Sequence, residues 1–283
     1  MLKNGISIDD ICKIFGNSTN KKNYLRALFN YLDLDKRIPN TRTELDSQII
    51  DTWNYDISKN ILRNLFIESE KYSYCQNCKY RIDKAINEWK ELELGEFEWP
   101  FSAMGFDQHI HSINRNNNLT ATEKDVLVSQ EVVKFRRIKE LNALRNDYIE
   151  YLIFNSSDKI IPTFGNNRGV DFYIDGNPYD QKVAKSVGNS FQQEYGENYR
   201  TTAIERPDLV AKSLYENQDE ERFGDEPRLF VVYLDSDIDS ESIEEQIISI
   251  NFEQPIDITF DYIHSNNTTI SHTTKCFIVL LHS

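Results

Sequence analysis

The segment FGNNRGVDFYIDGNPYDQKVAKS, residues 164–186, is the stretch that most limits what this chain can fold into. Asp175-Gly176 is a strong two-residue hairpin signal, because a tight primed turn needs positive φ at both central positions. With those two residues as the turn, Ile174 pairs with Asn177 and Asp171 falls opposite Asp180. With Gly176-Asn177 as the turn, Asp171 falls opposite Lys182. Strand side chains alternate with period two, so either register puts Asp171, Asp180 and Lys182 on one face. The other face carries Val170, Phe172, Ile174, Tyr179 and Val183, which suits packing against a core.

Two facing carboxylates repel across a strand pair by a few tenths to ~1 kcal/mol, so something must compensate. A hard divalent cation does so. Mg²⁺ takes oxygen ligands, keeps several waters, polarises a phosphate and lowers the pKa of a bound water. A lysine beside it can orient that water and balance charge developing on the phosphorus. The plainer alternative is an ordinary hairpin face with its charges in water.

An Asp on the second strand of a meander followed by Asp180-Gln181-Lys182 on the third resembles the signature of the PD-(D/E)xK nuclease superfamily, which includes many type II restriction endonucleases. Val170 stands where that pattern has proline. The superfamily core is a helix, a three-strand meander, a helix and a further strand, an order matched by residues 120–235. The resemblance therefore implies an α/β (α+β) fold with a central mixed sheet flanked by helices. It implies Asp171 and Asp180 as ligands of Mg²⁺ and Lys182 as the catalytic lysine. A glutamate from the preceding helix often joins the metal, and Glu150 is the best match, followed by Glu140 and Glu131. A second acid-x-Lys triplet, Glu88-Trp89-Lys90, sits in a helical pattern without a hairpin.

Polar residues flank the hairpin. Asn166, Asn167 and Arg168 precede it, and Lys185, Ser186 and Asn189 follow it. Such groups contact phosphates and base edges of double-stranded DNA.

Hydrophobic spacing predicts helices over 7–35 and 44–94, a loop over 96–118, one long amphipathic helix over 120–155, strands at 159–164, 170–175 and 179–186, a helix at 204–218, and buried strands at 228–234 and 276–282. The pattern divides the chain into a helical region, 1–118, suited to DNA recognition or dimerisation, and a catalytic region, 119–283.

Charge bears on the partner. The net charge is −14, which opposes indiscriminate coating of a polyanion. The excess is local: 15 acids and two arginines lie between 216 and 261, whereas residues 1–118 carry 16 basic and 17 acidic side chains. A local basic groove on the remaining surface stays compatible with DNA. No apolar run approaches ~18 residues and the N-terminus has no secretory pattern, so a cytoplasmic protein with no membrane partner is expected. Four cysteines are too few for a disulfide framework. Cys75-x-x-Cys78 with His109 and His111 is at most an irregular zinc set. No phosphate loop, dinucleotide loop or nucleophile elbow occurs.

The expectation is a Mg²⁺-dependent type II restriction endonuclease, acting as a homodimer beside a cognate DNA methyltransferase. The alternatives are a repair or mobile-element nuclease on the same core, and a non-catalytic DNA-binding or interaction module.

Overall fold

The computed structural model describes residues 2–3, 6–95, 103–165, 169–218, 224–265 and 267–283. The expected DNA contacts Asn166, Asn167 and Arg168 lie outside them. The N-terminal part runs β1 (Leu2–Lys3), β2 (Ile6–Ser7), α1 (Ile8–Ile14), α2 (Ser18–Tyr31), α3 (Arg42–Thr52), α4 (Tyr55–Ile67), α5 (Glu70–Gln76), α6 (Cys78–Glu91) and α7 (Ala103–Arg115). Then come α8 (Ala121–Ser156), β3 (Ile160–Pro162), β4 (Phe172–Ile174), β5 (Asn177–Ala184), α9 (Asn189–Tyr195), α10 (Tyr199–Glu205) and α11 (Pro207–Glu216). The chain closes with β6 (Arg228–Tyr233), α12 (Ser240–Ile248), β7 (Ile256–Ile263) and β8 (Thr269–Leu281).

The fold is α/β, with a mixed six-stranded sheet in the order β3-β4-β5-β6-β8-β7 and helices on both faces. Strands β3, β4 and β5 form an antiparallel meander. Its second turn is Asp175-Gly176, with φ of 49° and 82°. Ile174 pairs with Asn177 and Phe172 with Tyr179. The first of the two registers open in the sequence is therefore adopted. Parallel strands need a crossover, and α9, α10 and α11 supply it between β5 and β6. Strand β6 runs parallel to β8, with β7 antiparallel at the edge.

Strand β5 changes neighbours midway. Asn177 to Tyr179 pair with β4, whereas Asp180 to Ala184 pair with β6.

Alternation assigns the two faces. Phe172, Ile174, Tyr179, Leu229 and Val231 pack against Leu144, Tyr148 and Leu152 of α8 and Ile82 and Ile86 of α6. On the opposite face, Ile161 and Tyr173 meet α1 to α4, and Phe230 and Val232 meet α9 to α11. Each fully buried large side chain stabilises by about 1.5–3 kcal/mol. The cores thus draw on both sides of Asn118. The N-terminal helices also touch the meander through backbone. A Cβ built on Gly16 would lie 2.5 Å from the Gly165 Cα, and the Phe164 N–H donates to Ile14 O at 2.7 Å.

Helix α8 starts at a capping box, in which Thr120 Oγ1 accepts the Glu123 N–H at 3.3 Å and Glu123 Oε2 accepts the Thr120 N–H at 2.7 Å. Its buried residues begin only at Ile138. Val132 is 47% exposed, and the first half of α8 packs beside α7, where Phe106 stacks on Phe135.

Three expectations need correction. Residues 103–115 are helical rather than loop, since Phe106, Ile110 and Ile113 carry helical spacing past Gly105; residues 96–102 of that expected loop lie outside the described set. Strand β7 was not anticipated, and β8 starts at Thr269, well before 276. Val170 packs with Tyr173 rather than with Phe172. Among the described residues, no helix is long and apolar enough to cross a membrane.

Candidate active site

The Val170 correction locates a break in the strand that shapes the site. The Asp171 carbonyl accepts the Thr163 N–H at 3.1 Å, as a ladder to β3 requires, but the Asp171 N–H turns the other way, to Tyr179 O at 2.9 Å. Bulge-like breaks of this kind re-aim side chains. The carboxylate is re-aimed along β5: Asp171 Oδ2 accepts the Gln181 N–H at 2.7 Å. Backbone donors alternate along a strand. The Asp180 N–H goes to Pro227 O at 3.1 Å, so the Gln181 N–H faces the side that β4 has vacated. The Asp171 carboxylate takes the place of the missing strand carbonyl, close to the plane of the sheet.

Asp180 is the first residue of β5 to pair with β6, opposite Arg228. It is 4% exposed. Lys182, two residues on and on the same face, holds Nζ 2.7 Å from Asp180 Oδ2, and Arg228 Nε lies 3.7 Å from the same oxygen. Neither cation approaches along a hydrogen-bonding direction, so this buried oxygen has no hydrogen-bond donor. Arg228 is itself buried, its guanidinium 5.2 Å from the Tyr215 ring centroid.

Glu150 reaches the site from α8. Its Oε2 lies 2.5 Å from Lys71 Nζ on α5. A cleft of about 340 Å³ opens here, lined among others by Asn20, Ser69, Lys71, Glu150, Thr163 and Asp171. Asn20 is fixed at its rim by donating to Phe15 O at 2.9 Å and Phe164 O at 3.3 Å. The other two helix glutamates are engaged elsewhere, Glu140 with Arg136 and Glu131 with Lys134 and His109.

The four groups share one field. Burial pushes the Asp171 carboxyl above its usual range, the Gln181 N–H pulls it back, Asp180 and Glu150 push it further up, and Lys182 lowers it. Mutually repelling carboxylates of this kind are an oxygen donor set suited to a hard divalent cation. As they stand, each is taken by its own partner: Asp171 by the Gln181 amide, Asp180 by Lys182 and Arg228, Glu150 by Lys71. Among the described residues, no three His, Cys, Asp or Glu side chains are gathered closely enough to hold a metal ion.

Lys185 and Ser186 follow the end of β5, where Ser186 Oγ accepts the Gly188 N–H at 3.3 Å, and Asn189 opens α9. Cys75 and Cys78 are buried, and burial pushes their thiols up to about 12 and about 11. His109 lies on α7, 3.5 Å from Glu131. Two site residues escaped the sequence. Arg228 needed the β5–β6 register, and Lys71 lies 79 positions from Glu150 with no local signal.

No protein-family model matches the chain, and neither a curated protein nor a solved structure is significantly similar to it.

Proposed function

We propose that this protein is a divalent-metal-dependent endonuclease that hydrolyses phosphodiester bonds of double-stranded DNA. The observation that carries the reading is the placing of Asp171 against the Gln181 amide, between Asp180 and Lys182 on β5, with Glu150 lining the same cleft as Asp171. The PD-(D/E)xK-like core belongs to this reading, as does the assignment of Mg²⁺. Asp171 and Asp180 would hold the ion, with Glu150 joining from α8. When bound, such an ion supplies Lewis acidity toward a phosphate oxygen and acidifies a water.

The protein groups do the rest. Lys182 is half-exposed, with its side chain 49% accessible, so its ammonium reaches both Asp180 and incoming solvent. It orients the attacking water and balances negative charge as the phosphorus becomes five-coordinate. Arg228 stays behind Asp180 and balances its charge from within the core. The Gln181 amide fixes the direction of Asp171. Lys185, Ser186 and Asn189, with Asn166, Asn167 and Arg168, are the proposed DNA contacts. A type II restriction endonuclease, homodimeric, cytoplasmic and paired with a cognate methyltransferase, is the form we favour.

The test is plasmid cleavage in Mg²⁺, with EDTA, Lys182→Ala and Lys182→Arg as controls. We expect discrete fragments from wild-type protein and a loss of about 10²–10⁴-fold in Lys182→Ala. Arginine should not restore the rate, since a guanidinium fork does not replace a compact ammonium. Smeared products would move the assignment to a repair or mobile-element nuclease. Cleavage that survives EDTA or Lys182→Ala would overturn it.

A second reading has one observation in its favour. Every carboxylate of the site already has a partner, so the constellation also suits a non-catalytic DNA-binding module. DNA retained intact in Mg²⁺ across varied sequences would select that reading.

A further inference from the structure

The N-terminal helices place one cation in the cleft beside Asp171. Among the described residues that line the cleft, Lys71 alone is a lysine or arginine. It comes from α5, in a region for which the sequence offers recognition or dimerisation but no part in the chemistry. Its Nζ lies 2.5 Å from Glu150 Oε2 on α8, so the ammonium sits directly against the carboxylate that the metal would need.

We propose that Lys71 is an internal counter-cation of the metal site, neutralising Glu150 while no divalent ion is bound and passing to a substrate phosphate when one is. The inference rests on the nuclease reading. The ammonium lies 2.5 Å from Glu150 Oε2, and a divalent ion held by the same carboxylate would compete with it, because two cations on one oxygen repel. Lys71 is free to leave, because its side chain is 52% exposed and lysine carries its charge on a flexible four-carbon stem. The displaced ammonium remains in the cleft on the side where the phosphate backbone must approach Asp171. Metal loading and substrate-strand binding are thereby coupled through one side chain.

The experiment titrates Mn²⁺ alone into the full-length protein by calorimetry, comparing wild type, Lys71→Met, Lys71→Arg and Asp171→Asn. Methionine keeps the apolar stem and removes the charge. Removing a half-exposed competing ion pair should tighten Mn²⁺ binding about 2- to 5-fold, while Lys71→Arg stays at the wild-type affinity. In a Lys182→Ala background that leaves DNA intact, Lys71→Met should weaken duplex binding in Mn²⁺ and reduce its salt slope by about 1. A merely structural lysine would not give these opposite signs. Mn²⁺ affinity unchanged or weakened in Lys71→Met, with Asp171→Asn still abolishing binding, overturns the counter-cation and leaves the nuclease reading standing. Wild-type protein that binds no Mn²⁺, or an Asp171→Asn variant that binds it as well as wild type, overturns the nuclease reading itself.

Discussion

Asp171 Oδ2 accepts the backbone N–H of Gln181 at 2.7 Å, so the carboxylate just before β4 completes a hydrogen-bond ladder that β4 itself no longer reaches. Burial chiefly holds the same group above its usual pKa, and the charges of Asp180 and Glu150 push it the same way.

Stability and activity should therefore respond oppositely to Asp171→Asn. An amide oxygen still accepts the Gln181 N–H, but the buried negative charge is gone. We expect a gain of up to about 1 kcal/mol at pH 7, a rise of about 2–4 °C in Tm, together with a loss of cleavage of at least about 10²-fold. The sign with pH follows from linkage. The native state binds this proton more readily than the unfolded chain, so the contribution of Asp171 to wild-type stability falls as pH rises from the ordinary aspartate value of 3.8 through the raised native one. Urea denaturation of both proteins between pH 4 and 7 measures it. A stability difference that fails to grow with pH contradicts the assignment.

Arg228 faces Asp180 across β5 and β6 with both side chains about 5% exposed. Removing one partner of a buried pair strands the other, so Arg228→Met should destabilise by about 3 kcal/mol. The loss should be partly recovered in the Arg228→Met, Asp180→Asn double variant, with a coupling of about 1–3 kcal/mol. Purely additive effects in denaturant melts would show that the two charges do not depend on one another.

Gly165 meets Gly16 backbone to backbone. A Cβ on Gly165 would lie 2.4 Å from the Gly16 Cα, a distance that no rotamer change relieves. Gly165→Ala should cost about 3 kcal/mol and loosen the α1–α2 turn from the loop after β3. Proteolysis near residue 16 should then begin at lower denaturant concentration than in wild type, and unchanged protection would show that the approach is not required.

The hairpin was legible because its turn chemistry is local: Asp175-Gly176 demands one backbone geometry, and the alternation around it fixes which side chains meet. Helix α8 was legible through its apolar spacing over 120–155, and the capping box of Thr120 and Glu123 fixes its start. What sequence could not supply came from pairing across the chain. The irregularity at Asp171 sends Val170 to the Tyr173 side, and nothing in neighbouring letters announces it. Lys71 meets Glu150 through the packing of α5 beside α8. Strand β7 is a different matter. Ile258, Phe260 and Tyr262 alternate with exposed residues, and that period-two signal was there to be weighed. The turn-forming residues between 96 and 118 similarly masked the apolar stripe of α7.

The exchange of neighbours along β5 has a mechanical consequence. No row of ladder bonds crosses the whole sheet, because bonding to one side ends at Tyr179 and bonding to the other begins at Asp180. The sheet is two plates riveted along a single strand, and the acid pair lies on the line of rivets. The Gln181 N–H to Asp171 Oδ2 bond is a side-chain stitch across that line, so the position of the 171 oxygens is set by the strand that carries 180.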